Sequence, residues 1–138
     1  CISYLTIEHG GPIPEELRPL MGNRIYGCDD CQLICPWNKF AQISRLSDFD
    51  ERQGLVGQQL VHLFAWDEPT FLRLTEGGPI RRIGHERWLR NVAVALGNAL
   101  RATGSAEVRA ALMARAEDPS ALVREHVAWA LVQHENGL

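Results

Sequence analysis

The chain has 138 residues, 46% of them apolar and 22% charged, which is enough to bury a core and too apolar for a wholly disordered segment. A net charge of −3 excludes a uniformly basic nucleic-acid binder. No run of 18 apolar residues is present to span a membrane, so membrane partners are not expected. The sequence begins with Cys1 rather than Met, and we read it as part of a longer polypeptide.

Residues 1–8 read as a short helix, and Pro12 to Pro14 as a turn. Pro14 to Met21 reads as a helix whose early Glu15 and Glu16 suit the positive end of its dipole. Gly22 follows as the residue that ends it, within a tight turn to Arg24. Next comes Cys28-Asp-Asp-Cys31-Gln-Leu-Ile-Cys35-Pro36, a short helix that Pro36 stops. Residues 36–56 read as irregular and polar. Gly54 to Trp66 reads as an apolar helix, and Asp67 as the N-cap of another that ends at Gly77-Gly78-Pro79. Glu86 to Thr103 is a long helix. Ser105 caps a helix to about Ala116, and Asp118, with Pro119 at the first helical position, opens a last helix to about His134. Val92-Ala-Val-Ala-Leu96 repeats as Val127-Ala-Trp-Ala-Leu131, 35 residues on, near the period of helical-pair solenoids.

All four cysteines, Cys1, Cys28, Cys31 and Cys35, fall within the first 35 residues. The spacing C-x2-C-x3-C-P is the second half of the bacterial ferredoxin run, in which the last Cys serves the other cluster of a pair. Ile25, Tyr26, Leu33, Ile34 and Trp37 are available as an apolar shell. Two other readings stand beside iron–sulfur: two disulfides in any of three connectivities, and a structural zinc site.

The phrases Cys1-Ile-Ser-Tyr-Leu-Thr-Ile-Glu8, Gly11-Pro-Ile-Pro-Glu-Glu-Leu-Arg-Pro19 and Met21-Gly-Asn-Arg-Ile-Tyr-Gly-Cys28, continuing to Asn38, closely resemble epoxyqueuosine reductase. The C-terminal stretch resembles that family's helical-repeat tail. The resemblance implies an enzyme that reduces epoxyqueuosine to queuosine at the tRNA wobble position, the last step of queuosine synthesis. It implies two 4Fe–4S clusters and a cobalamin, whose binding region and proton donor lie upstream of this sequence. By position, Cys1, Cys28 and Cys31 are expected to ligate one cluster and Cys35 the other. A cytoplasmic location, a monomer and an external electron donor are expected. The rival functions are a ferredoxin-type electron carrier and a zinc-bound interaction scaffold.

The expected fold is mainly α: the C-terminal half of a two-cluster ferredoxin-like module (1–40), a linker (41–57) and HEAT-like repeats (58–138). Arg73 to Arg101 holds six arginines against Glu76 and Glu86, a local charge of +4. Such a cluster is either a solvated helix face or a phosphate-binding one. Given the resemblance, Arg81, Arg82, Arg87 and Arg90 are the candidate tRNA contacts. The scattered histidines form no ligand set with the cysteines, and His126 is expected to pack or cap. The four tryptophans are expected in the core.

Overall fold

The computed structural model describes residues 1–47, 55 and 57–133. Among these the chain is helical, without strands. A π-helical turn (Tyr4–Glu8) and a 3₁₀ turn (Glu15–Leu17) lead into α1 (Arg18–Met21). The cysteine-rich segment holds α2 (Asp30–Leu33), where a short helix was expected, and a 3₁₀ helix (Pro36–Phe40), where irregular chain was expected. Then follow α3 (Leu60–Phe64), α4 (Glu68–Leu74), a 3₁₀ turn (Pro79–Ile83), α5 (Gly84–Thr103), α6 (Ala106–Met113) and α7 (Ala121–Val132). The helix expected from Gly54 starts at Leu60, with residues 54 and 56 outside the described part, as is His134 at the other expected end.

Local chemistry sets most of these boundaries. Asp67 accepts from Thr70 N at 2.9 Å and caps α4 as expected. Ser105 does the same for α6, accepting from Val108 N at 3.4 Å. Gly104, at φ 63°, adopts the left-handed conformation that ends α5. At α7 the expected cap is displaced by two residues. Ser120 is the N-cap, accepting from Val123 N at 3.2 Å, while Asp118 accepts from Ser120 N at 3.0 Å. Asp118 thus shapes the turn into the helix, and Pro119 precedes the cap rather than following it.

The organising element is α5, in which every residue from Trp88 to Gly97 is buried. A helix buried on all sides needs cover on all sides. One side packs with Leu63, Phe64, Phe71, Leu112, Val123 and Val127 from α3, α4, α6 and α7. Trp88 stacks on Trp66 at 5.5 Å and donates from Nε1 to Leu63 O. Contact with α7 is closest at Gly97, where an added Cβ would lie 2.6 Å from Trp129 Cζ3 and 2.9 Å from Ala130 Cα.

The N-terminal segment covers the other side. Leu5, Ile13 and Met21 form a second buried cluster with Val94 of α5, and Ile2, Leu17 and Trp129 flank it. Ile7, Ile25 and Tyr26 pack on the larger cluster. The hydrophobic core therefore runs across the division expected between residues 40 and 58. Residues 41–47, at the start of the expected linker, are exposed.

Candidate metal centre

All four cysteines are free thiols: Cys1 and Cys31 are exposed, Cys28 and Cys35 half-buried. The backbone turns sharply around Cys28. Gly27 has φ 73° and Asp29 φ 59°, and Asp29 is the sole non-glycine residue with positive φ among the described residues. An aspartate in that region costs on the order of 1 kcal/mol, and such strain concentrates at functional sites. The turn is held by Asp29 O, which accepts from Gln32 N at 2.9 Å and from Leu33 N at 2.8 Å. It places Cys31 on α2, one turn after Cys28. Cys35 follows where Cys35 N donates to Gln32 O at 3.1 Å, and its extended backbone leads into Pro36. Asn38 closes the end of α2 by donating to Gln32 O and Leu33 O.

Arg24 grips Asp30 with contacts of 2.7 and 2.9 Å. That pair holds the Asp30 carboxyl below the usual carboxylate range, chiefly through the hydrogen bond from Arg24. Of the expected apolar shell, Ile25 and Tyr26 face the core, whereas Leu33, Ile34 and Trp37 are 72%, 82% and 74% exposed. Trp37 is thus an exception to the expectation that the tryptophans are core residues.

The donor set fits an iron–sulfur cluster in kind: four thiols outside any disulfide, each exposed or half-buried. Among the described residues no three His, Cys, Asp or Glu side chains converge on one point. The thiols present would supply part of each ligand shell, with the remaining ligands coming from elsewhere.

A seam of hydrogen bonds joins this segment to α5. Arg90, fully buried, donates to Leu5 O at 2.8 Å, His9 O at 2.7 Å and Gly11 O at 2.8 Å, and is braced by Asn91 Oδ1. Arg87 donates to Ile83 O, Ile7 O and Arg82 O at 2.7, 3.0 and 3.1 Å. Asn91 donates to Thr6 O at 2.8 Å and Ile25 O at 2.9 Å, and Asn98 to Arg18 O and Gly22 O, both at 2.9 Å. Deeper in, His126 donates from Nδ1 to Leu122 O and accepts at Nε2 from Ile13 N at 3.1 Å, which requires the neutral ring. Burial, its largest cause, lowers the His126 pKa to about 4.

The seam corrects one expectation about the arginines. Arg90 has no surface with which to meet a phosphate, because an irregular segment with unpaired carbonyls uses its guanidinium instead. Arg87 is half-buried, and each of its nitrogens bonds to backbone. Arg81 and Arg82 are exposed; Arg81 also donates to Leu72 O, and Arg82 pairs with Glu8. Sequence reasoning missed Thr6, Asn91 and Asn98. Asparagines at either end of the apolar run from Val92 to Leu96 were the available signal.

Residues 1–38 match the family described as 4Fe-4S double cluster binding domain, which places the cysteine-bearing segment in the iron–sulfur class. Over 137 residues the chain is 79% identical to an epoxyqueuosine reductase of Alicycliphilus denitrificans, covering 96% of this chain and 38% of that protein. A crystal structure of selenomethionine-labelled epoxyqueuosine reductase matches with a TM-score of 0.79 and 29% identity, over 97% of this chain and 35% of the other. A second, of epoxyqueuosine reductase with a tRNA-Tyr epoxyqueuosine-modified stem loop, matches with a TM-score of 0.77 and 28% identity, over the same shares. The chain belongs to the epoxyqueuosine reductase family. It spans little more than a third of the length of these relatives.

Proposed function

We propose that this chain is the cluster-bearing, helical part of a reductase that converts epoxyqueuosine to queuosine in tRNA. The observation that carries the reading is the 79% identity to a relative of that name across nearly the whole chain. Cys1, Cys28 and Cys31 are assigned to one 4Fe–4S cluster and Cys35 to the other, the second drawing its remaining ligands from another segment. When bound, the clusters supply electrons one at a time from an external donor. Residues of this chain hold them: the turn at Asp29 presents Cys28 and Cys31, and the exposed Leu33, Ile34 and Trp37 are available as apolar cover. Cobalamin belongs to the same reading, but no residue of this chain is assigned to it. Removing the epoxide oxygen as water consumes two electrons and two protons.

Residues 1–40 and 58–138 divide the labour in this proposal, the first carrying ligands and the second forming a HEAT-like support in which α5 and α7 are equivalent helices. The assembled protein is read as a cytoplasmic monomer. Among the described residues no helix is long and apolar enough to cross a membrane. Conversion of epoxyqueuosine-bearing tRNA by the full-length protein, together with iron and acid-labile sulfide analysis, tests the reading. Zinc alone, or no conversion with a competent electron donor, overturns it.

Arg81 and Arg82 are the exposed members of the arginine set and the proposed phosphate contacts. Replacing either with Gln should weaken tRNA binding evenly across sequences and lower the salt slope by about one. Binding isotherms that overlay the unmodified protein's at every salt concentration would remove both from the interface.

A further inference from the structure

Thr6 lies fully buried on the π-helical turn that follows Cys1. Its hydroxyl donates to Ile2 O at 2.9 Å, and the same oxygen accepts from Gly27 N at 3.0 Å. One hydroxyl therefore links the residue after Cys1 to the residue before Cys28. Asn91 adds a second link: its side-chain amide donates to Thr6 O at 2.8 Å and to Ile25 O at 2.9 Å. Its own oxygen is fixed by Arg90 at 2.9 and 3.1 Å. The two segments are thus tied to each other at two levels and, through Asn91, to the buried middle of α5.

A threonine that only back-bonded to the carbonyl four residues earlier would be a minor feature of a helical turn. The Gly27 amide makes the difference, because it gives the hydroxyl oxygen a partner 21 residues away. Gly27 has φ 73°, so the chain enters Cys28 from a conformation that nothing local enforces. A bond at that amide fixes where the thiol of the next residue starts.

We infer that Thr6 is a positioning residue that sets the separation of Cys1 and Cys28, with Asn91 as its anchor. The inference rests on the reading that these two thiols ligate one cluster. Groups behind a metal's ligands orient them and tune the metal, so a lost hydroxyl should be visible in the metal's own signals.

The test uses the full-length protein, purified anaerobically, with Thr6→Val and Thr6→Ser variants. Val keeps the shape and removes the hydroxyl; Ser keeps the hydroxyl. Thr6→Val should retain its far-ultraviolet circular dichroism. It should either fall from about eight irons per chain toward about four, or keep its iron with shifted g values in the reduced electron paramagnetic resonance spectrum. Thr6→Ser should restore both signals. A folded Thr6→Val protein with unchanged iron and spectrum overturns the inference, as does a loss that Thr6→Ser fails to restore. If Thr6→Val does not fold, Thr6→Ala carries the same expectations. A parent protein without iron would overturn the cluster reading itself, a result separate from any effect of Thr6.

Discussion

The two sides of α5 hold their neighbours by opposite means. Toward α7 the helix is held by apolar packing, and at Gly97 the two backbones nearly touch. Toward the N-terminal segment it presents Arg87, Arg90, Asn91, Val94 and Asn98, a stripe at helical spacing that is polar at every position but one. The difference follows from what each side faces. α7 satisfies its own backbone, so what it gains from α5 is packing and one bond from the Ser120 hydroxyl to Glu86 at 2.6 Å. The N-terminal segment is made of short turns and leaves carbonyls at Leu5, Thr6, His9, Gly11, Arg18, Gly22 and Ile25 that need donors. Arg and Asn side chains, with several N–H groups each, supply them. A polar stripe on a buried helix thus marks irregular chain on the other side of it.

The largest effect should come from breaking that polar side. Arg90→Met fills much of the same volume but strands the carbonyls of Leu5, His9 and Gly11. The expected loss is about 4 kcal/mol, from several charge-assisted bonds and the buried acceptors left unpaired. Burial lowers the pKa of Arg90 to about 10, so at neutral pH the guanidinium is charged and all its donors are in place. The urea midpoint of unfolding measures the change. A loss below about 1 kcal/mol would mean that the seam is hydrated and the N-terminal segment is held by its apolar contacts alone.

Acid should come next. His126 accepts from Ile13 N only as the neutral ring, and its folded pKa of about 4 lies below the ordinary value of 6.5. Between those values the unfolded chain binds more protons, so its contribution is fully present above about pH 6.5 and is lost as pH falls through 4. The full swing is on the order of 3 kcal/mol. His126→Gln should flatten the pH dependence of stability between pH 4 and 6.5. An unchanged slope in that variant would assign the acid sensitivity to other groups.

These two residues also show how far the sequence can be read. The helical class, the caps at Asp67 and Ser105, and the thiol spacing follow from local rules, and each appears where those rules place it. The long-range partners of Arg90 and His126 lie 79 to 113 residues away. They are backbone atoms, which carry no residue identity for a pattern to reveal. An arginine aimed at a distant carbonyl therefore reads the same as one aimed at solvent or phosphate. At α7 the ambiguity was local: Asp118 and Ser120 are both good caps, and only the geometry of the turn chose between them. At the candidate site the thiols were legible, and the hydroxyl and amides behind them were not.

The smallest expected effect tests the apolar side, where two local rules disagree in sign. Gly97 sits inside a twenty-residue helix. Helix propensity alone makes Gly97→Ala a gain of about 1 kcal/mol. Overpacking makes it a loss of about 1–3 kcal/mol, because the new methyl meets Trp129 and the Cα and Cβ atoms of Ala130. The Trp129 ring is a half-buried side chain, but the Ala130 backbone moves only if α7 moves, and α7 carries His126. Steric conflict should therefore win, for a net loss of about 2 kcal/mol in thermal or urea unfolding. Such a loss should couple to His126→Gln in a double-mutant cycle, since both act through the seating of α7. A stabilised Gly97→Ala variant would show that the helices have slack between them.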